Sequence, residues 1–246
     1  MEYLKFFDIE DNYLAYRDNK NKYVKPNVSF VYDNKEVYYN YTPAPQVTYD
    51  YVDLGLPSGT KWATMNVGAS KPSDAGLYFQ WGDTQGYTAD QVGTGDGKKK
   101  FSSDWSDYKW GTYPNFSKYA TTGATLDMED DTANANMGGN WHMPTNDQIN
   151  ELLYNTTTGE TFVDGMDGML FTSKKDTSKS IFIPEREFYY DGGISNIQGR
   201  GGIWSSNLDS DYVYYGSFLE LDFYRYNFVL SRETRNLGLN VRGVIG

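Results

Sequence analysis

The chain has 246 residues, one histidine, no cysteine and a formal net charge of −11. This charge argues against nucleic acid as the main partner, because phosphate binding needs a basic surface. The missing cysteines exclude disulfides, a thiolate nucleophile and cysteine-ligated metal. No stretch of the sequence approaches the roughly 18 consecutive apolar residues that a membrane span needs. The length allows a real core, which must be held together by packing alone.

Residues 1–45 are predicted to form a small separate module. Asp8 can cap a helix that carries Tyr13, Leu14 and Tyr16. The apolar segments 28–32 and 36–39 flank Asp-Asn-Lys, which indicates a hairpin.

The module ends in a Thr-Pro-Ala-Pro linker at residues 42–45, which predicts a stiff extended chain. So small a module is marginal alone, so we expect it to pack on something, such as a larger assembly. Residues 1–8 lack a basic region followed by an apolar stretch, and therefore do not predict a secretory signal.

The second part of the chain, residues 46–246, shows short strands, glycine turns and one clear helix. Thr145 and Gln148 form a capping box, in which each side chain accepts the other residue's backbone N–H. Ile149, Leu152 and Leu153 then give this helix one apolar face. A weaker helix is predicted after residue 126, with the acidic residues 127–131 in its first turn, where the helix dipole favours them.

Several shorter signals complete the pattern. Segment 180–184 predicts a buried strand that ends at proline, and segments 191–193 and 199–202 predict glycine turns. The glycine-rich residues 93–97 lack the Lys-Ser/Thr of a phosphate loop. The three lysines that follow, residues 98–100, predict a solvated loop.

No catalytic or metal site is predicted, and the chain is not expected to be an enzyme or to need a cofactor. His142 could serve in a Ser/His/Asp triad, but its place before the capping box favours a structural role. The acidic segment 127–131 offers oxygen ligands for calcium, but its spacing does not match an EF-hand. Glu185 and Glu187 are interpreted as surface or salt-bridge residues.

The segment from residue 207 to residue 231 is rich in Tyr, Asp, Asn and Ser. Tyrosine supplies large contact area at low entropic cost, while Ser and Asn supply adaptable hydrogen bonds. This composition is typical of a binding surface, although a tyrosine-rich sheet would share it, since Tyr also favours strands.

Alternation along residues 213–221 predicts one buried and one exposed set of side chains. The buried set is Tyr214, Gly216 and Phe218, and the exposed set is Tyr215, Ser217 and Leu219. The candidate ligand-binding residues are Asn207, Asp209, Asp211, Tyr212, Tyr215, Ser217, Leu219, Tyr224, Tyr226, Asn227 and Ser231.

An ordered set of short blocks runs through residues 50–246. The blocks are VDLGLPSGTKWA (52–63), NVGA (66–69), GLYFQWG (76–82), EDDTA (129–133), GNWHMPT (139–145), IWSS (203–206) and VR (241–242). This set resembles the Fibrobacter major paralogous domain family, which is abundant in Bacteroidetes. The chain departs from the family at His142, where Arg is usual, and at Gly243, where Pro is common.

The resemblance implies an α+β, C-type-lectin-like domain, related to the sulfatase-modifying-factor fold and β-rich with one or two short helices. The same fold carries the variable proteins of diversity-generating retroelements. In these proteins adenine-directed mutagenesis of Asn codons cannot produce Lys, Glu, Gln, Met or Trp. Between residues 207 and 231, Glu220 is the only residue outside the permitted set. A variable region over about residues 203–242 is therefore expected, with fixed scaffold at 204–206 and 238–242.

The function implied is a receptor-binding protein of a phage or prophage that infects gut Bacteroidetes. Its partner would be a protein or glycan on the host cell surface, and its N-terminal module would attach it to the virion tail. The expected location is the virion or an extracellular surface. An alternative is a non-variable cell-surface protein of the same family, and a third is an enzyme related to sulfatase-modifying factors, whose thiol chemistry needs the cysteine that this chain lacks.

Overall fold

The computed structural model describes residues 49–194, 199–225 and 227–246, together with four short strands within the first 48 residues. The chain divides into two compact units, Met1–Thr48 and Tyr49–Gly246. The strands of the first unit form two antiparallel pairs. These pairs are β1 (Tyr16–Arg17) with β2 (Tyr23–Val24), and β3 (Phe30–Tyr32) with β4 (Lys35–Val37).

The pairing of β3 with β4 confirms the predicted hairpin. Its turn is shorter than predicted, because Lys35 already lies in β4, opposite Tyr32. Tyr16, predicted on a helix, lies in strand β1, in keeping with the preference of aromatic side chains for strands. The rest of that helix and the linker at 42–45 lie outside the described residues.

The unit Tyr49–Gly246 is β-rich and, in its described part, has two α-helices, which establishes the α+β class. The strands are β5 (Tyr51–Val52), β6 (Lys61–Ala63), β7 (Gly111–Thr112), β8 (Asn115–Phe116), β9 (Thr156–Val163), β10 (Met166–Ser173), β11 (Ser180–Pro184), β12 (Tyr189–Tyr190), β13 (Gly193–Ile194), β14 (Arg200–Leu208), β15 (Tyr215–Asp222), β16 (Asn227–Thr234) and β17 (Val244–Ile245). The helices are α1 (Thr132–Met137) and α2 (Asn146–Asn155). The sheets, all antiparallel, are β17–β6–β5, β7–β8, β11–β10–β9, β12–β13 and β14–β15–β16.

Helix α2 begins at the predicted capping box. The Thr145 hydroxyl accepts the Gln148 N–H at 3.2 Å, and the Gln148 side chain accepts the Thr145 N–H at 2.9 Å. Ile149 and Leu152 are fully buried, and Leu153 packs beside them. The sequence therefore predicted both the start of this helix and its buried face.

Helix α1 begins later than predicted. Asp131 is its N-cap and accepts the Asn134 N–H at 2.9 Å, while residues 127–130 form a turn before the helix. The prediction that these acidic residues occupy the first helical turn is wrong. The capping residue has an extended backbone, so the helix can start only after Asp131.

The sheet β14–β15–β16 separates two apolar clusters. Side chains alternate along a strand, so Phe218 joins the cluster around Trp81 and Trp204, while Leu219 joins the cluster around Trp62. Strand β15 is consequently buried on both faces, and every residue from 216 to 222 is buried.

The end of the chain closes this unit. In the three-stranded sheet β17–β6–β5, Val244 and Val52 both pair with Trp62, from opposite sides. Arg242, fully buried, donates to the Phe182 carbonyl at 2.8 Å and to the Asn66 side chain at 2.9 Å. Neither described helix is long and apolar enough to cross a membrane.

The two predicted glycine turns differ in outcome. Asp191 and Gly192, both with positive φ, form the turn between β12 and β13, as predicted. In segment 199–202, Gly199 is a turn residue with positive φ, but Gly201 and Gly202 lie inside β14. A Cβ on Gly201 would lie 1.6 Å from the Arg186 carbonyl oxygen, so glycine here permits close backbone approach rather than a turn.

The strand predicted at 180–184 is confirmed as β11, with residues 181–184 buried. The solvated loop predicted for the lysines 98–100 is wrong for Lys99, whose side chain is only 8% exposed. Its ammonium lies 3.3 Å from the Asp107 carboxylate and donates to the Gln80 side chain at 2.8 Å. These partners, together with the rings of Tyr87 and Phe101, compensate its burial.

Candidate ligand-binding site

Four tyrosine rings contact one another at one end of the β14–β15–β16 sheet. Tyr215 is the first residue of β15, Tyr212 and Tyr214 lie in the loop before it, and the ring centroids of Tyr214 and Tyr215 are 4.3 Å apart. Tyr113, from the turn between β7 and β8, lies 5.0 Å from Tyr214. We call these four residues the tyrosine patch. Tyr113 and Tyr212 are 55% and 44% exposed, so the patch offers aromatic surface to a partner.

Asp209 fixes the loop that carries the patch. Its carboxylate accepts the backbone N–H groups of Asp211 at 3.0 Å and of Tyr212 at 2.8 Å. Its own N–H donates to the Tyr215 carbonyl. Asp209 is itself buried, so this predicted binding residue shapes the loop from beneath rather than forming its outer surface.

Arg232 on strand β16 adds a charge to the tyrosine patch. Its guanidinium lies 3.3 Å from the Asp209 carboxylate and 3.4 Å from that of Asp211. It also lies over the rings of Tyr212 and Tyr215, at 4.8 and 5.6 Å from their centroids. Partial desolvation opposes the charged form, but the two carboxylates outweigh it and raise the pKa of Arg232. The patch therefore combines aromatic surface with a fixed positive charge.

Arg235 holds the same loop from the interior. Its buried guanidinium donates to the Val213 carbonyl at 3.1 Å and to the Tyr119 carbonyl at 2.9 Å, and it lies 3.9 Å from the Phe116 ring centroid. Burial lowers the pKa of Arg235. Its backbone N–H also donates to the Tyr214 carbonyl. The patch is thus tied to the aromatic core by both the side chain and the backbone of one residue.

Three of the predicted binding residues are engaged in contacts within the fold. Asn207 accepts the Asn146 N–H at 2.9 Å and donates to the Thr125 hydroxyl at 2.7 Å. Ser217 is buried and accepts from the Asn146 side chain at 3.2 Å. Leu219 is fully buried. The prediction that Ser217 and Leu219 are exposed is wrong, because a central strand covered on both faces has no exposed set.

The remaining predicted residues lie apart from the tyrosine patch. Tyr224 is 83% exposed in the turn between β15 and β16, and Asn227 is exposed at the start of β16. At a rise of about 3.4 Å per residue, the length of β15 places this turn roughly 24 Å from Tyr215. Ser231 is half-buried opposite Phe218, and the side chain of Tyr226 lies outside the described residues.

The predicted residues therefore do not form one surface, and three contributors to the patch were missed. Tyr113, Arg232 and Arg235 reach the loop from segments far apart in the chain. No local pattern in the sequence could have joined them. Tyr214, predicted to be buried, is half-buried and belongs to the patch.

The other candidate groups are engaged in structural contacts. The His142 backbone exchanges two hydrogen bonds with Val244, and its ring Nδ1 lies 2.9 Å from the Met143 carbonyl. Asp127 and Glu129 each lie 2.9 Å from the Lys118 ammonium, which also contacts Asp130. These carboxylates thus surround a lysine, which neutralises part of their charge.

Comparisons with models of known families, with curated proteins and with solved structures find no match to this chain.

Proposed function

We propose that this chain is a ligand-binding protein whose binding surface is the tyrosine patch with Arg232. The observation that carries this proposal is a connected group of four tyrosine rings, two of which lie under the guanidinium of the half-exposed Arg232. The loop before β15 that carries two of these tyrosines is fixed by Asp209 and Arg235. Tyr and Arg are the residues that most often dominate binding energy at interfaces. A loop held rigid before binding loses less conformational entropy when a ligand binds.

We propose a C-type-lectin-like fold for the unit Tyr49–Gly246. The support is the family resemblance of its sequence blocks, together with a β-rich architecture that has two short helices in its described part. Such a scaffold would present the loop before β15 and the edge strand β16 as the ligand-binding face.

We further propose that a retroelement diversifies this surface for phage attachment to a protein or glycan on the host cell. Glu220, which such mutagenesis cannot produce, is buried and ion-paired with Arg200, as expected of a fixed scaffold residue. Tyr212 and Tyr215, on the patch itself, belong to the permitted set. The N-terminal unit would then provide attachment to the virion.

The alternative is a non-variable surface protein of Bacteroidetes. The burial of Ser217 and Leu219 favours it, because part of the segment with the permitted composition is core. Sequencing the source locus and sibling genomes across codons 203–242 separates the two. A nearby near-copy that differs only at template adenines supports diversification, and an invariant segment without such a copy contradicts it.

The binding surface itself is tested by substitution. We expect Tyr212→Ala and Tyr215→Ala to weaken adhesion to host cells, or to an immobilised glycan or surface protein, by about 1–3 kcal/mol. Tyr224→Ala at the other end of the sheet is the matched control, since it removes an equally large exposed ring. Wild-type affinity in both patch variants would contradict the proposal. An equal loss in Tyr224→Ala would extend the surface to both ends of the sheet.

A further inference from the structure

A cavity of about 490 Å³ lies beside the edge of strand β14 that does not pair with β15, and no residue of the tyrosine patch lines it. Segment 185–189 forms one wall and pairs with the outer edge of β14 through a bridge between Glu187 and Gly201. Asp167 of β10 and Tyr78 also line the cavity. Its volume lies in the range of pockets that hold small molecules.

Charged groups of both signs line this cavity without pairing with one another. Within the described residues, Arg186 makes one side-chain hydrogen bond, to the Ser73 carbonyl at 3.3 Å, and its buried Nε has no partner. No described carboxylate lies within 4 Å of its guanidinium. Buried polar groups are usually hydrogen-bonded, so Arg186 keeps donor capacity that its contacts in the described part of the chain do not use.

The carboxylates of the cavity are also unpaired in the described part of the chain. Asp167, Glu185 and Glu187 take part in no ion pair there, and their side chains accept no hydrogen bond. Burial, followed by the neighbouring charges of Asp167 and Glu187, raises the pKa of Glu185. A bound cation would relieve this repulsion.

The remaining wall is aromatic and apolar. Tyr78, which is buried, meets Tyr189 edge to face with ring centroids 4.5 Å apart. Ala75, Ala89, Met166 and Ile194 complete the lining. Such a wall suits a methylene chain, and the tyrosine rings can also contact an ammonium group.

We propose that this cavity binds a small molecule that carries both amines and a carboxylate. Arg186 would hold the ligand carboxylate, and the three carboxylates would hold its amines. Because acidic groups outnumber the arginine, a ligand with two amines and one carboxylate fits best, which is the chemistry of a basic amino acid such as lysine. This site is independent of the tyrosine patch and of its proposed function.

Isothermal titration of the full chain tests the proposal with L-lysine, with cadaverine, which lacks the carboxylate, and with hexanoate, which lacks the amines. We expect L-lysine to bind more tightly than either. Arg186→Gln should weaken L-lysine about tenfold or more and leave cadaverine unchanged, whereas Glu187→Gln should weaken both.

The matched control is Arg225→Gln, which removes an arginine whose side chain is 77% exposed, in the turn between β15 and β16. It should change the affinity of neither L-lysine nor cadaverine. Melting temperatures check that each variant is folded. If Arg186→Gln does not fold, the affinity of Glu187→Gln for L-lysine tests the proposal instead. Absence of saturable L-lysine binding up to roughly 10 mM, or wild-type affinity in the decisive variants, would overturn the proposal.

Discussion

Leu219 and Tyr224 belong to one segment of similar composition, yet their surroundings are opposite. Leu219 is fully buried between β14, β16 and the cluster around Trp62, whereas Tyr224 is 83% exposed. Burial of an apolar side chain stabilises the fold in proportion to the area removed from water. These two residues therefore contribute to different properties of the molecule, Leu219 to stability and Tyr224 to the surface.

Leu219→Ala should lower the free energy of unfolding by about 2–5 kcal/mol, because it leaves a cavity in a packed core. Tyr224→Ala should change it by no more than about 0.5 kcal/mol. Urea denaturation followed by tryptophan fluorescence measures both. A small effect of Leu219→Ala would show that β15 is not buried on both faces.

Glu220 makes the stability of the fold depend on pH. Its burial raises the pKa, but Arg200 and Ser231 outweigh this effect and hold the pKa of Glu220 below its usual range. A lowered pKa in the folded state gives stability above the unfolded pKa of about 4.3, and this stability is lost as the pH falls through the folded value.

Glu220→Gln should therefore be less stable than the wild type near neutral pH, and the difference should shrink as the pH falls from about 6 to about 3. Urea denaturation across this range measures it. Glu160→Gln, at an exposed position of β9, is the control, and its free energy of unfolding should vary with pH as that of the wild type does. A difference for Glu220→Gln that does not vary with pH would contradict the role of its ionised form.

At the scale of elements, strand β14 depends on two glycines that let neighbouring backbones approach. A Cβ at Gly201 would meet the Arg186 carbonyl, and a Cβ at Gly202 would lie 2.2 Å from the Leu219 carbonyl oxygen. Since backbone atoms cannot move aside as flexible side chains can, the sheet itself would have to shift. Gly159 in the edge strand β9 has no such neighbour within 4 Å.

Gly201→Ala should destabilise the protein by about 1–3 kcal/mol or more, as overpacking does. Gly159→Ala is the matched control. It should be neutral, or stabilising by about 0.5–1 kcal/mol, because it restricts the unfolded chain without a clash. Thermal unfolding compares the two, and equal melting temperatures would contradict the close approach at Gly201.

At the scale of the whole molecule, the unit Tyr49–Gly246 contains the elements of an independent domain. It has two apolar clusters on the two faces of one sheet, and strand β17 near its end pairs with β6 near its beginning. The fully buried Arg242 joins segments that lie far apart in the chain. Such closure makes unfolding cooperative.

A fragment of residues 49–246 should therefore fold without the first unit and unfold in a single transition. Its near-ultraviolet circular dichroism should show ordered aromatic side chains, because its tryptophans and tyrosines pack in fixed geometry. The full chain measured in parallel is the control. A broad transition without a near-ultraviolet signal would show that the first unit is needed.

Local patterns in the sequence predicted what depends on neighbouring residues. The capping box at Thr145 and the turn at 191–193 depend on interactions within a few residues, and the strand at 180–184 is marked by a short apolar run, so each could be predicted. The burial of Ser217 and Lys99 could not be, because their partners, Asn146 and Asp107, come from other segments. Polar residues are buried wherever such partners compensate them.

The sequence by itself determined the α+β class, the hairpin of the first unit and a tyrosine-rich segment before and along β15. Only the tertiary structure decided which of these tyrosines meet at the surface. It added Tyr113, Arg232 and Arg235 to the loop, placed Tyr224 at the far end of the sheet and buried Leu219. The physical reason is that period-two alternation assigns residues to the two faces of a strand, whereas coverage of those faces depends on segments distant in the chain.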